Sequence, residues 1–225
     1  MSAARRRVVL SWSGGKDSAL ALAALRADPG IEIVALATTL TADHDRISMH
    51  GVRRELVEAQ ADRLGLPLWP ALIPAKASNA AYEAAMGALF DRARAEGVEA
   101  IAFGDLFLAD IRAYRDRLVT RHGLGALYPV WERDTEAVYA RFLRLGFKAV
   151  IVCVDPARLD PAFLGRTLDG ALRADLPATV DPCGENGEFH SFVHDGPGFA
   201  RPVGIRLGDV VCRDGFWFRD LTLES

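Results

Sequence analysis

"VVLSWSGGKDSAL", Val8 to Leu20, runs from a short apolar stretch through two adjacent glycines into an alanine- and leucine-rich segment. The Val- and Leu-rich residues from Arg7 to Ser13 suit a buried strand. "DSALALAALRAD" (Asp17–Asp28) carries a helical apolar stripe, with Asp17 near its N-terminus and "PG" after it. A glycine-rich turn between a first strand and a first helix sits at the carboxyl edge of an open α/β sheet, where such proteins bind ligands. Gly14 and Gly15 allow backbone conformations closed to other residues, so their N–H groups can converge on an anion. The helix adds its positive end. Ser11, Ser13 and Ser18 supply hydroxyl donors and Lys16 a positive charge. The stretch is not the G-x-x-x-x-G-K-S/T of the usual phosphate loop, in which a lysine reaches the β and γ phosphates for γ-transfer.

Working outward, strand-like and helix-like segments alternate. Ile31–Leu40 reads as a second strand and Gly51–Gly65 as a helix ending at a glycine. Leu66–Pro74 reads as a third strand whose prolines argue for an edge, and Asn79–Gly97 as a long helix with Asn79 as a candidate cap. "EAIAFGD" (Glu99–Asp105) gives a fourth strand, followed by a helix across Leu108–Gly123. This spacing predicts an α/β fold, a doubly wound parallel sheet with helices on both faces. The pattern then changes. A helix after Pro129 within Leu127–Phe147 and a strand at Lys148–Asp155 precede short helices over residues 160–177. From Asp181 onward, glycines, prolines and alternating aromatics suggest hairpins. We therefore expect a nucleotide-binding domain over 1–126 and a smaller α+β domain, for substrate, over 127–225.

Half of the 225 residues are hydrophobic and a quarter are charged, as in an ordinary globular chain. A net charge of −3 provides no basic field for nucleic acid. Three widely spaced cysteines form neither a disulfide framework nor a zinc motif. The apolar run near the start is too short for a secretory signal and no membrane span follows, so a cytoplasmic location is expected.

The S-G-G-x-D-S pattern of residues 13–18 resembles the PP-loop of the adenine nucleotide alpha-hydrolase superfamily. The resemblance implies that ATP is cut between its α and β phosphates, that the loop holds the departing pyrophosphate, and that Asp17 lies close to Mg2+. Three further stretches follow in order: "RISMHGVRRELVEAQADRLGLPL" (46–68), "AFGDLFLADIRAYRD" (102–116) and "DPCGENGEFHSFVHDGP" (181–197). With the loop they resemble the diphthine–ammonia ligase family over essentially the whole chain. That implies an ATP-dependent carbon–nitrogen ligase: a carboxylate attacks the α-phosphate, and ammonia displaces AMP from the acyl adenylate. In that family the carboxylate belongs to a modified histidine of translation elongation factor two. Gly184–Ser191 reads G-E-N-G-E-F-H-S, where the eukaryotic and archaeal pattern is close to G-E-G-G-E-Y-E-T. With the arginine- and alanine-rich composition, this points to a bacterial-type branch acting on a different small-molecule or protein-borne carboxylate.

Site candidates follow. Lys16, Asp17 and Asp105 are the catalytic candidates. Ser11, Ser13, Gly14, Gly15, Lys16, Asp17, Ser18, His50 and Gly104 are expected to bind the nucleotide, with His50–Gly51 matching the family's H-G and Gly104 able to admit ribose or adenine. Asp105 competes with a helix-capping role. Arg112 and Arg115 can share a helix face and suit an anionic group. Glu185, Asn186, Glu188 and His190 are expected to meet the acceptor, with Asn186–Gly187 as a hairpin turn. A homodimer is a family-style expectation. The alternatives are a PP-loop tRNA-modifying ligase and a non-catalytic ATP-binding sensor.

Overall fold

The computed structural model describes residues 4–131 and 134–224. The chain forms two compact units that interleave along the sequence: Met1–Ser13, Asp17–Asp45 and Leu66–Glu132 make the first; Gly14–Lys16, Arg46–Gly65 and Arg133–Ser225 make the second.

In the first unit, β1 (Arg6–Ser11), β2 (Ile31–Thr41), β4 (Leu68–Ile73), β5 (Ala100–Ala102) and β6 (Gly125–Leu127) pair in parallel in the order β4-β2-β1-β5-β6. The helices are α1 (Lys16–Arg26), α3 (Asn79–Ala95) and α4 (Ala109–Arg121). Successive strand side chains alternate faces. Val9, Ala35, Ala37, Trp69, Ala71, Ile101 and Phe103 therefore share one side and pack with Met86, Leu89 and Phe90 of α3 and Leu118 and Val119 of α4. The intervening Val8, Leu10, Leu36, Ala100 and Ala102 are equally buried, as are Ala19–Leu22 of α1. Burial on both faces is what near-continuous apolar strands require. The doubly wound reading stands. Pro70 lies in β4, whose partner in this unit is β2, so the missing amide donor sits on an edge as expected. The cap of α3 differs by one residue: Ser78, not Asn79, accepts from Ala81 N at 3.2 Å. Both are cap-competent, and the serine is the one with extended backbone.

In the second unit, β3 (Arg46–Ile47) and α2 (Arg54–Leu64) precede α5 (Thr135–Arg144), β7 (Lys148–Val154), α6 (Gly170–Asp175), β8 (Phe189–Asp195), β9 (Ile205–Arg213) and β10 (Phe216–Leu223). Strands β7–β10 form an antiparallel sheet in the order β8-β7-β10-β9. Asp214 and Gly215, both at positive φ, close the β9–β10 hairpin. Helix α5 starts later than its sequence suggests. Asp134 caps it by accepting from Glu136 N at 2.9 Å, and Glu132 and Arg133, inside the expected helix, lie outside the described residues. The expected hairpin at Asn186–Gly187 is instead a free-standing turn. Gly187 N donates to Gly184 O at 3.0 Å, and β8 pairs with β7 rather than with a strand before the turn.

Candidate functional site

The loop after β1 enters α1 at Lys16, so the amides of the first turn of α1 have no intrahelical acceptor and point out of its positive end. Within the first unit, Ser13 Oγ and Ser18 Oγ lie 3.4 Å apart, and Asp17 sits in the first helical turn. Gly104 follows β5 and presses on that turn: a Cβ there would meet Asp17 C at 2.9 Å and Ser18 N at 3.0 Å. The glycine is thus needed for close packing of backbone on backbone. Asp105 stands next to it, largely buried. Arg115 Nη2 donates to Asp105 Oδ1 at 3.1 Å, and Arg115 Nε lies 3.0 Å from Oδ2, which makes no well-aligned hydrogen bond among the described residues. Burial pushes the Asp105 carboxyl above the usual carboxylate range, opposed by Arg115 and reinforced slightly by the Asp17 charge. Asp17 and Asp105 therefore share one electrostatic neighbourhood at the carboxyl edge of the sheet.

Arg112 and Arg115 part company. Arg112 stacks against both Tyr128 and Trp131, with its guanidinium carbon 4.7 Å from each ring centroid, while Arg115 lies over Phe103 at 4.5 Å. The aromatic pair holds the Arg112 guanidinium plane on a half-exposed rim.

In the second unit, Gly14 has φ +79°, and a Cβ on it would meet Gln60 Oε1 at 2.7 Å. Its carbonyl accepts from Val193 N at 2.8 Å and from Gln60 Nε2 at 3.0 Å; Gln60 Nε2 also donates to Val193 O at 2.5 Å. Lys16 N donates to Ser191 Oγ at 3.2 Å, and the buried Lys16 ammonium lies 6.0 Å from the Phe189 ring centroid. His50 and His190 stack with ring centroids 4.5 Å apart at an interplanar angle of 25°. His50 Nδ1 lies 3.3 Å from Ser191 O. Burial is the main cause holding both imidazoles below the usual histidine range, with the Lys16 charge adding to it; His190 falls to about 4.

The 181–188 loop is tied by its own carboxylates. Glu188, almost fully buried, accepts from Asp181 N and Asn186 N at 3.0 Å each and from Asn186 Nδ2 at 3.2 Å. Asp181 accepts from Cys183 N at 2.8 Å and Glu185 N at 3.3 Å. The carboxylate of Glu188 is spent on holding Asn186 and the turn, whereas Glu185 is half-buried on that turn.

Gln60 and Ser191 are site-building residues that sequence reasoning passed over. Gln60 carried a readable signal: it occupies a position of α2 whose neighbours Leu56, Val57, Ala61 and Leu64 are all buried. A polar residue on an apolar face must find partners there. Ser191 lay inside the singled-out segment but was not separated from it.

Comparison with known proteins agrees across the chain. A family model described as the diphthamide synthase N-terminal domain matches residues 6–126, and one for the diphthamide synthase C-terminal domain matches residues 134–221. The diphthine–ammonia ligases of Bos taurus and Homo sapiens are each 28% identical to this chain, covering 91% of it and 85% of their own length. That of Danio rerio is also 28% identical, over 91% of this chain and 88% of its own. Among solved structures, a U34-tRNA thiolase from Methanococcus maripaludis with its 4Fe–4S cluster aligns over 64% of this chain and 58% of its own, at a TM-score of 0.38 and 17% identity.

Proposed function

The chain belongs to the diphthamide synthase family, and from that premise we propose that it is an ATP-dependent ligase that adenylates a substrate carboxylate and amidates it with ammonia. The observation that carries this reading is the Ser11–Ser18 loop. A left-handed glycine, a helix start and clustered serines suit two phosphate groups. In this reading the amides of Gly15, Asp17 and Ser18 and the Lys16 ammonium bind the β and γ phosphates of ATP, leaving the α-phosphorus open to attack. Gly104 lets the chain after β5 pack directly on the backbone of Asp17 and Ser18, and His50 is kept as a candidate nucleotide contact. The acceptor carboxylate attacks the α-phosphorus and pyrophosphate leaves. Ammonia then adds to the acyl carbon and AMP departs. The nucleophile is already a carboxylate, so rate enhancement rests on positioning and on charge stabilisation of the leaving group.

Asp17 and Asp105 fit magnesium: the ion takes one or two carboxylates together with phosphate oxygens, and Asp105 has an oxygen outside any well-aligned hydrogen bond. When bound there it would neutralise the departing pyrophosphate. The acceptor has two separate candidate groups, one in each unit: Arg112, fixed by its two aromatic neighbours, and the turn residues Glu185 and Asn186 with His190. Glu188 acts through the turn it holds.

The test is product analysis with ATP, magnesium, ammonium chloride and a panel of carboxylate acceptors that includes the diphthine form of elongation factor two. Pyrophosphate release should require the acceptor, and AMP and the amide should accumulate over many turnovers once ammonia is added. ADP and orthophosphate as products would overturn the reading.

A further inference from the structure

A short turn follows β6 in the first unit and builds a pair of rings around an arginine. Trp131 N donates to Tyr128 O at 3.2 Å across Pro129 and Val130, which sets the two rings edge to face at 5.6 Å. Strand register fixes where they stand. Ala102 of β5 lies opposite Leu127 of β6, and Phe103 N donates to Leu127 O at 2.9 Å. Tyr128 accordingly stacks on Phe103, with centroids 5.7 Å apart. Gly104 and Asp105 come next in the chain after Phe103. The rings therefore stand at the same carboxyl edge as Asp105, one strand further along the sheet.

Arg112, near the start of α4, lays its guanidinium against both Tyr128 and Trp131. Its remaining side-chain contact is Asp116, where Nε lies 3.8 Å from Oδ2, too far for a hydrogen bond. Asp116 itself accepts from the Tyr128 hydroxyl at 2.9 Å. Among the described residues, then, no side-chain N–H of Arg112 has an acceptor. Arg115, three residues on, is the contrast, since its guanidinium is committed to Asp105. A half-exposed arginine held in plane by two rings has lost much of its rotamer freedom before any ligand arrives. Its open fork matches the paired oxygens of a carboxylate. It also fills the aromatic pair that would otherwise suit a ligand cation.

We propose that Arg112 is a specificity-determining residue that binds a second carboxylate of the acceptor, so that the acceptor is a di- or polycarboxylic acid amidated at one of its acid groups. This rests on the ligase reading above. There, the reacting carboxylate meets the α-phosphorus beside Asp17 and Asp105, which follow β1 and β5. Arg112 stands beside the end of β6, with the Phe103–Tyr128 stack between it and Arg115. One carboxylate cannot occupy both places. An acid whose two carboxylates lie one to two strand spacings apart, ~5–10 Å, reaches both. The second carboxylate forms no bond and breaks none; it anchors the acceptor and stays a carboxylate in the product.

The experiment takes the full chain with magnesium and the straight-chain diacids from glutarate to suberate, each beside its own monomethyl ester. Calorimetry with α,β-methylene ATP present reads binding, and pyrophosphate release with ATP reads turnover. At least one diacid should bind about 10- to 100-fold more tightly than its half-ester, the size of a charge-assisted pair of hydrogen bonds. In Arg112→Gln that preference should vanish, through a higher Kd and KM for the diacid with kcat and the half-ester unchanged. Arg112→Lys should restore only part of it, because an ammonium lacks the fork. If no diacid outbinds its half-ester, the proposal is overturned. It is overturned equally if Arg112→Gln weakens diacid and half-ester alike, which would place the reacting carboxylate on Arg112. The nucleotide separates the two readings: bound α,β-methylene ATP without a diacid preference sinks this inference alone, whereas no nucleotide binding sinks the ligase reading beneath it.

Discussion

Two arginine–aspartate clusters, one in each unit, use the same chemistry to opposite effect. In the first unit Asp105 faces a single arginine and is largely buried at the carboxyl edge of the sheet; its carboxyl is harder to ionise than usual because desolvation outweighs Arg115. In the second, Asp220 takes three hydrogen bonds from Arg46 and Arg53, and those bonds, Arg53 first, pull it down to about 2. A carboxylate with saturated oxygens is a structural clamp. One that desolvation holds above its usual range against a single arginine, beside a glycine and another aspartate, is a candidate for function.

The comparison breaks first at Asp105. Asp105→Asn is expected to lower ATP-dependent turnover by on the order of 10²-fold, as loss of a preorganised charge does. It should shift stability by less than about 1 kcal/mol, because relief of the carboxylate's desolvation offsets the lost attraction to Arg115. Urea unfolding beside an activity assay checks both halves. A large stability loss would make Asp105 a clamp like its counterpart.

Asp220→Asn reverses the pattern. The fall from 3.8 to about 2 corresponds to roughly 2 kcal/mol, which partial exposure reduces to about 1–2 kcal/mol. Thermal unfolding should register it as a drop of several degrees.

The pH dependence of stability sharpens the contrast in two windows. His50 and His190 have folded pKa values below the unfolded 6.5, so the unfolded chain binds the extra protons and stability falls as pH drops from about 6.5 toward 4. The Asp220 contribution is present above its unfolded value of 3.8 and is lost as pH falls on toward 2. Asp105 runs the other way: its raised folded value means protonation relieves a cost, so stability gains slightly as pH falls through that folded value. Asp220→Asn should flatten only the lower window, and His190→Phe only part of the upper one. Chemical denaturation across pH 2–8 reads both.

The smallest expected effect is Arg53→Lys. Lysine cannot span both oxygens of Asp220, and losing one hydrogen bond should cost about 0.5–1 kcal/mol by equilibrium unfolding.

What the sequence made legible follows from range. The strand, loop and helix at Val8–Arg26 are set by neighbours: an apolar run, two glycines, then a 3.6-residue stripe. The edge position of β4 follows from Pro70, which lacks its amide wherever it sits. The starts of α3 and α5 were blurred because cap-competent residues and prolines crowd both, and only backbone conformation selects Ser78 and Asp134. Glu188 looked like a substrate contact because its spacing from Glu185 says nothing of direction; folding turned it inward onto Asn186 and Asp181. Asp220 was invisible for a different reason: its arginines lie 167 and 174 residues away. The same distance hid Ser191, whose hydroxyl receives the Lys16 amide from 175 residues off. Local physics names the loop; only the tertiary fold supplies its supports.

A crystal structure with α,β-methylene ATP and magnesium tests the central claim most directly. The β and γ phosphates should lie within hydrogen-bond distance of the Gly15, Asp17 and Ser18 amides, with the α-phosphorus outside the loop and open to an incoming carboxylate. A loop without phosphate, or one that encloses the α-phosphorus and leaves the γ-phosphorus exposed, would contradict it.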